Sequence, residues 1–350
     1  MHLYNVEILK PDFSYRSSCQ TEKMDFKTDY LSPANNKIEL IQIEAERGDY
    51  IVITGQKQRV GIVTSHAVKN DVHEVQYKPL LTLLDVNIFM DRSRLNTMSL
   101  EEWMANQMNA TFRDNEDSLQ NIVGFEAMPV PATYNTVVTM EKNIGNLYEV
   151  LKEAILLYQV VVEFAVDIQK KKLAATVRPA TSDNPVIEAD LPNVLNKNFV
   201  LKQADGTCNK MLVYNELDET QVAVFYMLQD GTISTDAKAA GRLTPVIAQS
   251  TYISYEPNEE KTFENAAYEQ AFSSLSKEKE NCMIELEVAN GDNLVKPEKL
   301  EIGQRVRIIS QNKEYNTILT GKDEKETTTL VFGAVRLELT KILKGRMVTK

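Results

Sequence analysis

One strand-and-turn pattern occurs at both ends of this chain, and it commits the fold to a mainly β architecture. In residues 300–344, Val306 and Ile308 alternate with Arg305 and Arg307, the period-2 signature of a half-buried strand. Residues 315–319 form a second β-rich run and residues 328–337 a third. Gly303, the cluster at 311–313 and the charged run at 321–326 supply the turns between them. A shift of 255 positions lays residues 48–53 on 303–308 without a gap. The same shift sets Gln56 on Gln311, Val60 on Tyr315, Val63 on Ile318, Val75 on Leu330, Tyr77 on Phe332 and Leu84 on Leu339. Identities are few, and any two β-meanders of similar length share some of this pattern. Two such units at opposite ends of one chain nevertheless point to a repeated architecture.

A chain of 350 residues has room for roughly two to four compact units. Its 43% hydrophobic and 25% charged content is that of a globular protein. Residues 1–13 lack a basic region, an apolar core and a small-residue cleavage site, so no secretory signal is expected. The longest apolar region, 154–166, is interrupted by Gln159 and Glu163 and is too short to span a bilayer. Cys19, Cys208 and Cys282 lie far apart and are odd in number, which fits a reduced compartment without a disulfide framework. The formal net charge of −11 gives no overall attraction for nucleic acid. Such a surface also suits a lumen through which DNA slides, and solubility is the simpler reading.

Residues 4–9 alternate as a strand, and residues 15–28 are polar and mixed. A turn cluster at 29–36 precedes a strong strand at 38–43, and residues 46–49 turn the chain into a strand at 50–54. Residues 55–58 read as a tight hairpin, 60–63 as its return and 72–84 as the close of a small β-barrel or sandwich. Together these define a first domain, residues 1–87. Ser99 and Glu102 then form a capping-box pattern, with Leu100, Trp103, Met104 and Met108 following at helical spacing. Trp103, the only tryptophan, reads as a core residue rather than a ligand-stacking one.

A second helix is expected over 146–158, with Leu147, Leu151, Ala154, Ile155 and Tyr158 on one face. An alternating strand at 160–168 turns at Lys170, Lys171 and Lys172 into another at 173–177. The three lysines read as a solvated hairpin tip rather than a site for an anionic partner. Residues 88–180 are thus an α+β domain whose helices cover a sheet. After a linker at 178–185 come strands at 210–214 and 222–228, a hairpin signal at Asp230 and Gly231, a short run at 232–234 and an extended segment at 245–254. A helix over 262–279 carries Phe263, Ala267, Ala271 and Leu275 down one side, and its charged end at 277–280 reads as solvated. These make a second α+β region, residues 181–282. A strand at 283–288 and a turn at 290–292 open the C-terminal domain, residues 283–350.

The sequence offers little chemistry. It has no Walker-type glycine loop, no dinucleotide-binding glycine fingerprint and no Gly-x-Ser-x-Gly. His66 and His73 are spaced to approach across a hairpin, but only Asp71 and Glu74 stand nearby to complete a metal site, and both histidines read as surface residues. His2 lies at the terminus, and no cysteine has a histidine close in sequence. Asn109, Ala110 and Thr111 match a glycosylation triplet inside an expected helix, and that match is set aside. No catalytic, cofactor-binding or metal residue is assigned, and no cofactor is expected.

Residues 48–53, then Gly61-Ile62-Val63, then residues 77–84, resemble the opening of bacteriophage tail baseplate hub proteins. Leu300-Glu301-Ile302-Gly303 and residues 331–337 resemble the closing domain of the same hubs. That family includes the N-terminal part of siphophage tail-associated lysozymes and occurs in contractile and tailocin-like particles. The resemblance implies an α+β, mainly β chain with tail-tube-like antiparallel β-barrel or sandwich domains at its two ends and α+β domains between them. It implies a homotrimer in which six similar β domains adapt a hexameric tail tube to a trimeric tip. The implied neighbours are a distal tail protein or tube ring above, a tip, fibre or lysozyme-bearing protein below, and the end of a tape-measure protein in the lumen. The implied location is a virion tail or tail-like particle assembled in the bacterial cytoplasm, without a membrane anchor. No hydrolase segment follows the last β unit, so any such activity is expected on a separate chain. A distal tail or adaptor ring protein, and a hydrolase with its site in the central α+β region, are the alternatives.

Overall fold

The computed structural model describes residues 3–55, 57–91, 94–95, 97–138, 143–181, 185–200, 208–228, 232–257, 262–276, 283–291 and 294–337. The chain divides into a main unit, residues 1–198 with 284–350, and an inserted unit, residues 199–283. Strands dominate both, so the chain is α+β and mainly β.

The N-terminal part of the main unit comprises β1 (Tyr4–Leu9), β2 (Tyr15–Thr21), β3 (Phe26–Asp29), β4 (Asn36–Ile41), β5 (Tyr50–Thr54), β6 (Gln58–Lys69) and β7 (Val72–Pro79). Six of them form one sheet in the order β2-β1-β5-β6-β7-β4. Alternation explains it: Val6, Ile8, Ile38, Leu40, Ile51, Ile53, Val63, Val75 and Tyr77 point to one buried face. Tyr50 and Val52 point the other way, into a second core. The polar, mixed stretch at 15–28 holds two strands, β2 and most of β3. Its alternation is masked because β2 lies at a sheet edge with most side chains exposed or half-buried.

The central part follows with β8 (Asn87–Phe89), α1 (Leu100–Phe112), β9 (Phe125–Pro129), β10 (Ile144–Asn146), α2 (Leu147–Glu153), β11 (Val160–Asp167) and β12 (Lys172–Pro179). Helix α1 starts at the expected capping box: Ser99 Oγ accepts from the Glu102 amide, and the Glu102 carboxylate accepts from the Ser99 amide. Trp103 is buried in the core, and its indole N–H donates to the Asp91 carbonyl. Asn109, in the set-aside triplet, bonds both backbone groups of Ala127 on β9 and so fastens the helix to the sheet. The three-stranded sheet β11-β12-β9 packs with these helices and with Tyr50, Val52, Leu80, Leu81 and Leu84 in one core.

The last part of the main unit is a sheet assembled from distant segments. β13 (Val186–Glu188) and β14 (Val194–Val200) precede the inserted unit; β19 (Met283–Ala289), β20 (Arg305–Ser310), β21 (Lys313–Glu324) and β22 (Thr327–Leu337) follow it. Their order is β13-β20-β21-β22-β19-β14, and β3 from the N-terminal part also pairs with β21. Of the expected linker, Thr181 bridges Gln304, while residues 182–184 lie outside the described residues.

The inserted unit holds β15 (Lys210–Asn215), β16 (Val222–Met227), β17 (Ile233–Ser234), β18 (Ala248–Ile253) and α3 (Phe263–Ser276). Its sheet runs β17-β16-β15-β18, and Phe263, Ala267, Ala271 and Leu275 of α3 pack on Met211, Val213 and Phe225. The hairpin signal at Asp230 and Gly231 and the charged run at 277–280 lie outside the described residues.

Candidate functional site

The feature that organises the main unit is the meander that occurs twice. Strands β5, β6, β7 and β4 are hydrogen-bonded in that order, and β20, β21, β22 and β19 repeat it. The shift of 255 carries β5 onto β20 and β7 onto β22. Asn36 faces Tyr77 in one copy and Ile284 faces Phe332 in the other. The entry turn is also repeated: the Asp49 amide donates to the Glu46 carbonyl at 3.1 Å, and the Gln304 amide to the Glu301 carbonyl at 3.1 Å. Gly48 and Gly303 in that turn have φ of +94° and +82°, a region that favours glycine.

The middle strand departs from the ungapped shift by one residue. Tyr77 faces Val63, whereas Phe332 faces Leu319, so Val63 corresponds to Leu319 and not to Ile318. The cause lies in the turns. Three residues separate the paired Thr54 and Gln58, but four separate Ile309 and Glu314; the next turn restores the register. On this register Lys57 matches Lys313, His66 matches Lys322, and Val68 matches Glu324. Gln56 and Leu339, both part of the expected match, lie outside the described residues.

The two copies meet along β21. The charged run at 321–326, expected as a turn, is mostly strand: Gly321, Lys322, Asp323 and Glu324 pair with Asp29, Thr28, Lys27 and Phe26 of β3. Sequence polarity misleads there because the charges are neutralised from the other copy. Arg59 Nε and Nη2 of β6 donate to the two Glu324 carboxylate oxygens at 2.6 and 2.7 Å, a bidentate pair. Lys322 Nζ, nearly buried, stands 3.1 Å from the same carboxylate. Burial would raise the Glu324 carboxyl, but Arg59 and Lys322 outweigh it and hold the group below its ordinary value. Burial pushes the Lys322 ammonium down, with Glu324 opposing. At the rim, Lys57 Nζ reaches Glu301 at 2.8 Å. An open cleft of about 960 Å³ beside this seam is lined by Lys37, Lys57, Arg59, Glu324, Lys325 and Thr327, among others.

Three tyrosines hold β3 in place. Tyr77 donates to the Asp25 carbonyl and Tyr148 to the Asp29 carbonyl, while Tyr30 donates to the Val162 carbonyl of β11. Burial raises all three phenols, so they stay neutral donors. Gly303 is pressed against β11 as well, since a Cβ there would stand 2.7 Å from Val161.

The candidate residues for chemistry are dispersed. His66 Nε2 lies 2.9 Å from His73 Nδ1 with the rings stacked, so the two do approach across the hairpin. Glu74 is instead 2.7 Å from Lys37, and among the described residues no group of three or more His, Cys, Asp or Glu side chains could hold a metal. Cys19 is half-buried, and burial raises its thiol; Cys208 is buried. His2 and Cys282 lie outside the described residues. Lys170 pairs with Asp167 and Lys172 with Glu126. In the central region, Glu101 is buried and accepts from Thr133 and Ala132, a structural role.

The geometry is that of a repeated β element joined along β21. No family model and no curated protein matches the chain. Among solved structures it is similar to the 43 kDa tail protein of prophage MuSo2 from Shewanella oneidensis, with 12% identity, a TM-score of 0.56, and coverage of 95% of this chain and 98% of that one. It is also similar to prophage tail protein gp18 from Listeria monocytogenes, with 10% identity, a TM-score of 0.51 and 98% coverage of both. A chain of the phage P2 virion baseplate in its activated conformation aligns at 12% identity and a TM-score of 0.50, over 95% of this chain and 98% of its own. The fold is therefore one shared with phage tail and baseplate proteins, as the sequence resemblance implies.

Proposed function

We propose that this chain is a structural baseplate hub of a phage tail or tail-like particle, in which three copies close into a ring of six similar β meanders. The observation that carries this reading is the duplicated meander, with the same strand order and the same entry turn in both copies. A chain that holds two copies of one element presents six of them as a trimer, so a threefold assembly can meet a sixfold tube. The tail and baseplate proteins that share the fold support the same reading. A tube ring or distal tail protein would face one side of such a ring and a tip protein the other. The chain acts in it as structure and not as a catalyst, consistent with the structural bonds made by Glu101 and Glu324.

The test is a ring-averaged electron-microscopy view of the assembled particle. A layer with three copies and six similar densities is expected. Six complete copies would assign the chain to an adaptor ring, and its absence from any ring layer would overturn the reading.

A further inference from the structure

Within the chain, the seam between the two meanders uses different sides of the same element. The N-terminal part contributes β3, which lies outside the repeated meander, and the front of the meander itself, Lys57 and Arg59. The C-terminal copy contributes its back: the distal arm of β21 and Glu301. The matching back of the N-terminal copy is open along residues 67–69, while His66 is half-buried and bonded to the Ala45 carbonyl at 3.0 Å. Residues 65–69 of β6 pair with β7 alone, and among the described residues no strand pairs their other edge. Val68 is 58% exposed, whereas Glu324 at the matching position of β21 is 15% exposed under its partners. The charges match as well. The counterparts of Lys57 and Glu301 are Lys313 and Glu46, the same signs; Lys313 is exposed, and Glu46 is 72% exposed although Arg16 donates to both of its carboxylate oxygens at 2.8 Å.

We propose that the back of the N-terminal meander, Glu46 with residues 65–69, docks the front of the C-terminal meander of a second copy of this chain, with Lys313 of one copy bridging Glu46 of the next. The contact is head-to-tail and repeats the Lys57–Glu301 rim of the intrachain seam, with Tyr315 in the place of Arg59, so it can continue around a closed ring. Lys313 and Glu46 restate the Lys57–Glu301 bridge, and Val68 enters a covered position where an apolar side chain is stable and a charge is not. The proposal rests on the ring reading above and specifies its subunit contact.

The test measures the mass of the full chain by light scattering across a dilution series. Lys313→Glu and Glu46→Lys are each expected to raise the concentration at which the trimer dissociates by about tenfold or more, and the double variant to restore it. Val68→Lys, at an exposed position that leaves the fold intact, is expected to abolish assembly; thermal unfolding confirms that each variant is folded. A wild-type trimer unaffected by all of these substitutions overturns the contact and leaves the ring reading standing. A wild-type chain that stays monomeric overturns both.

Discussion

Two strand arms make the most instructive comparison in this molecule. The distal arms of β6 and β21 have the same place in the same meander, yet one is solvent-exposed and the other is buried. The buried arm carries Lys322 and Glu324; the exposed arm carries His66 and Val68 at the matching positions. At Val68 and Glu324 polarity is thus inverted relative to burial, whereas His66 and Lys322 are both polar. Charges are tolerated in β21 because Arg59 and β3 satisfy them, and a buried pair so arranged is costly to break from one side only. The apolar Val68 on the open strand edge is the position that the proposed second copy would cover.

The comparison can be broken most severely at Arg59. Arg59→Ala leaves Glu324 and Lys322 buried without the bidentate partner, and a loss of about 3 kcal/mol is expected in denaturant unfolding. Lys69→Ala on the exposed arm is expected to change stability by no more than about 0.5 kcal/mol in the monomer. Equal losses at the two sites would remove the distinction between the arms.

The entry turns offer a second, smaller contrast. Gly303→Ala forces both a left-handed alanine and a clash with Val161, whereas a Cβ on Gly48 meets nothing within 4 Å. We expect roughly 1 kcal/mol at Gly48 from the backbone alone and a larger loss at Gly303. Tyr148→Phe removes one donor from the strap formed by β3 and is expected to cost about 1 kcal/mol, read in the same unfolding experiment.

The smallest effect is a pH dependence. The folded-state pKa of Glu324 lies below its unfolded value of about 4.3, so its contribution is complete above that value. The stabilisation is lost as pH falls through the folded-state pKa. Arg59→Ala removes the main stabilising partner of the carboxylate, so acid unfolding should begin at a higher pH than in the parent chain. An unchanged acid transition would show that the pair contributes nothing there.

Much of this was legible in the sequence where the signal is local. The Ser99 and Glu102 cap, the alternation of β1 and β11, the apolar run of β5 after its turn, and the apolar stripe of α3 all follow from neighbours within a few residues. The seam was not legible, because it joins β3 to β21 and Arg59 to Glu324 across more than half of the chain. Charge at 321–326 reads as a solvated turn unless the distant arginine is known. The repeat itself was visible, but its one-residue slip in β21 was not, because the two turns compensate each other.

Hydrogen exchange of the two arms is the most direct test of this account. Amides of residues 321–324 should be protected at every protein concentration, since their partner is in the same chain. Those amides of residues 65–69 that point away from β7 should exchange quickly in the dilute monomer and slow markedly in the trimer. Fast exchange of residues 65–69 within a confirmed trimer would contradict the claim that the second copy covers the arm left open in the first.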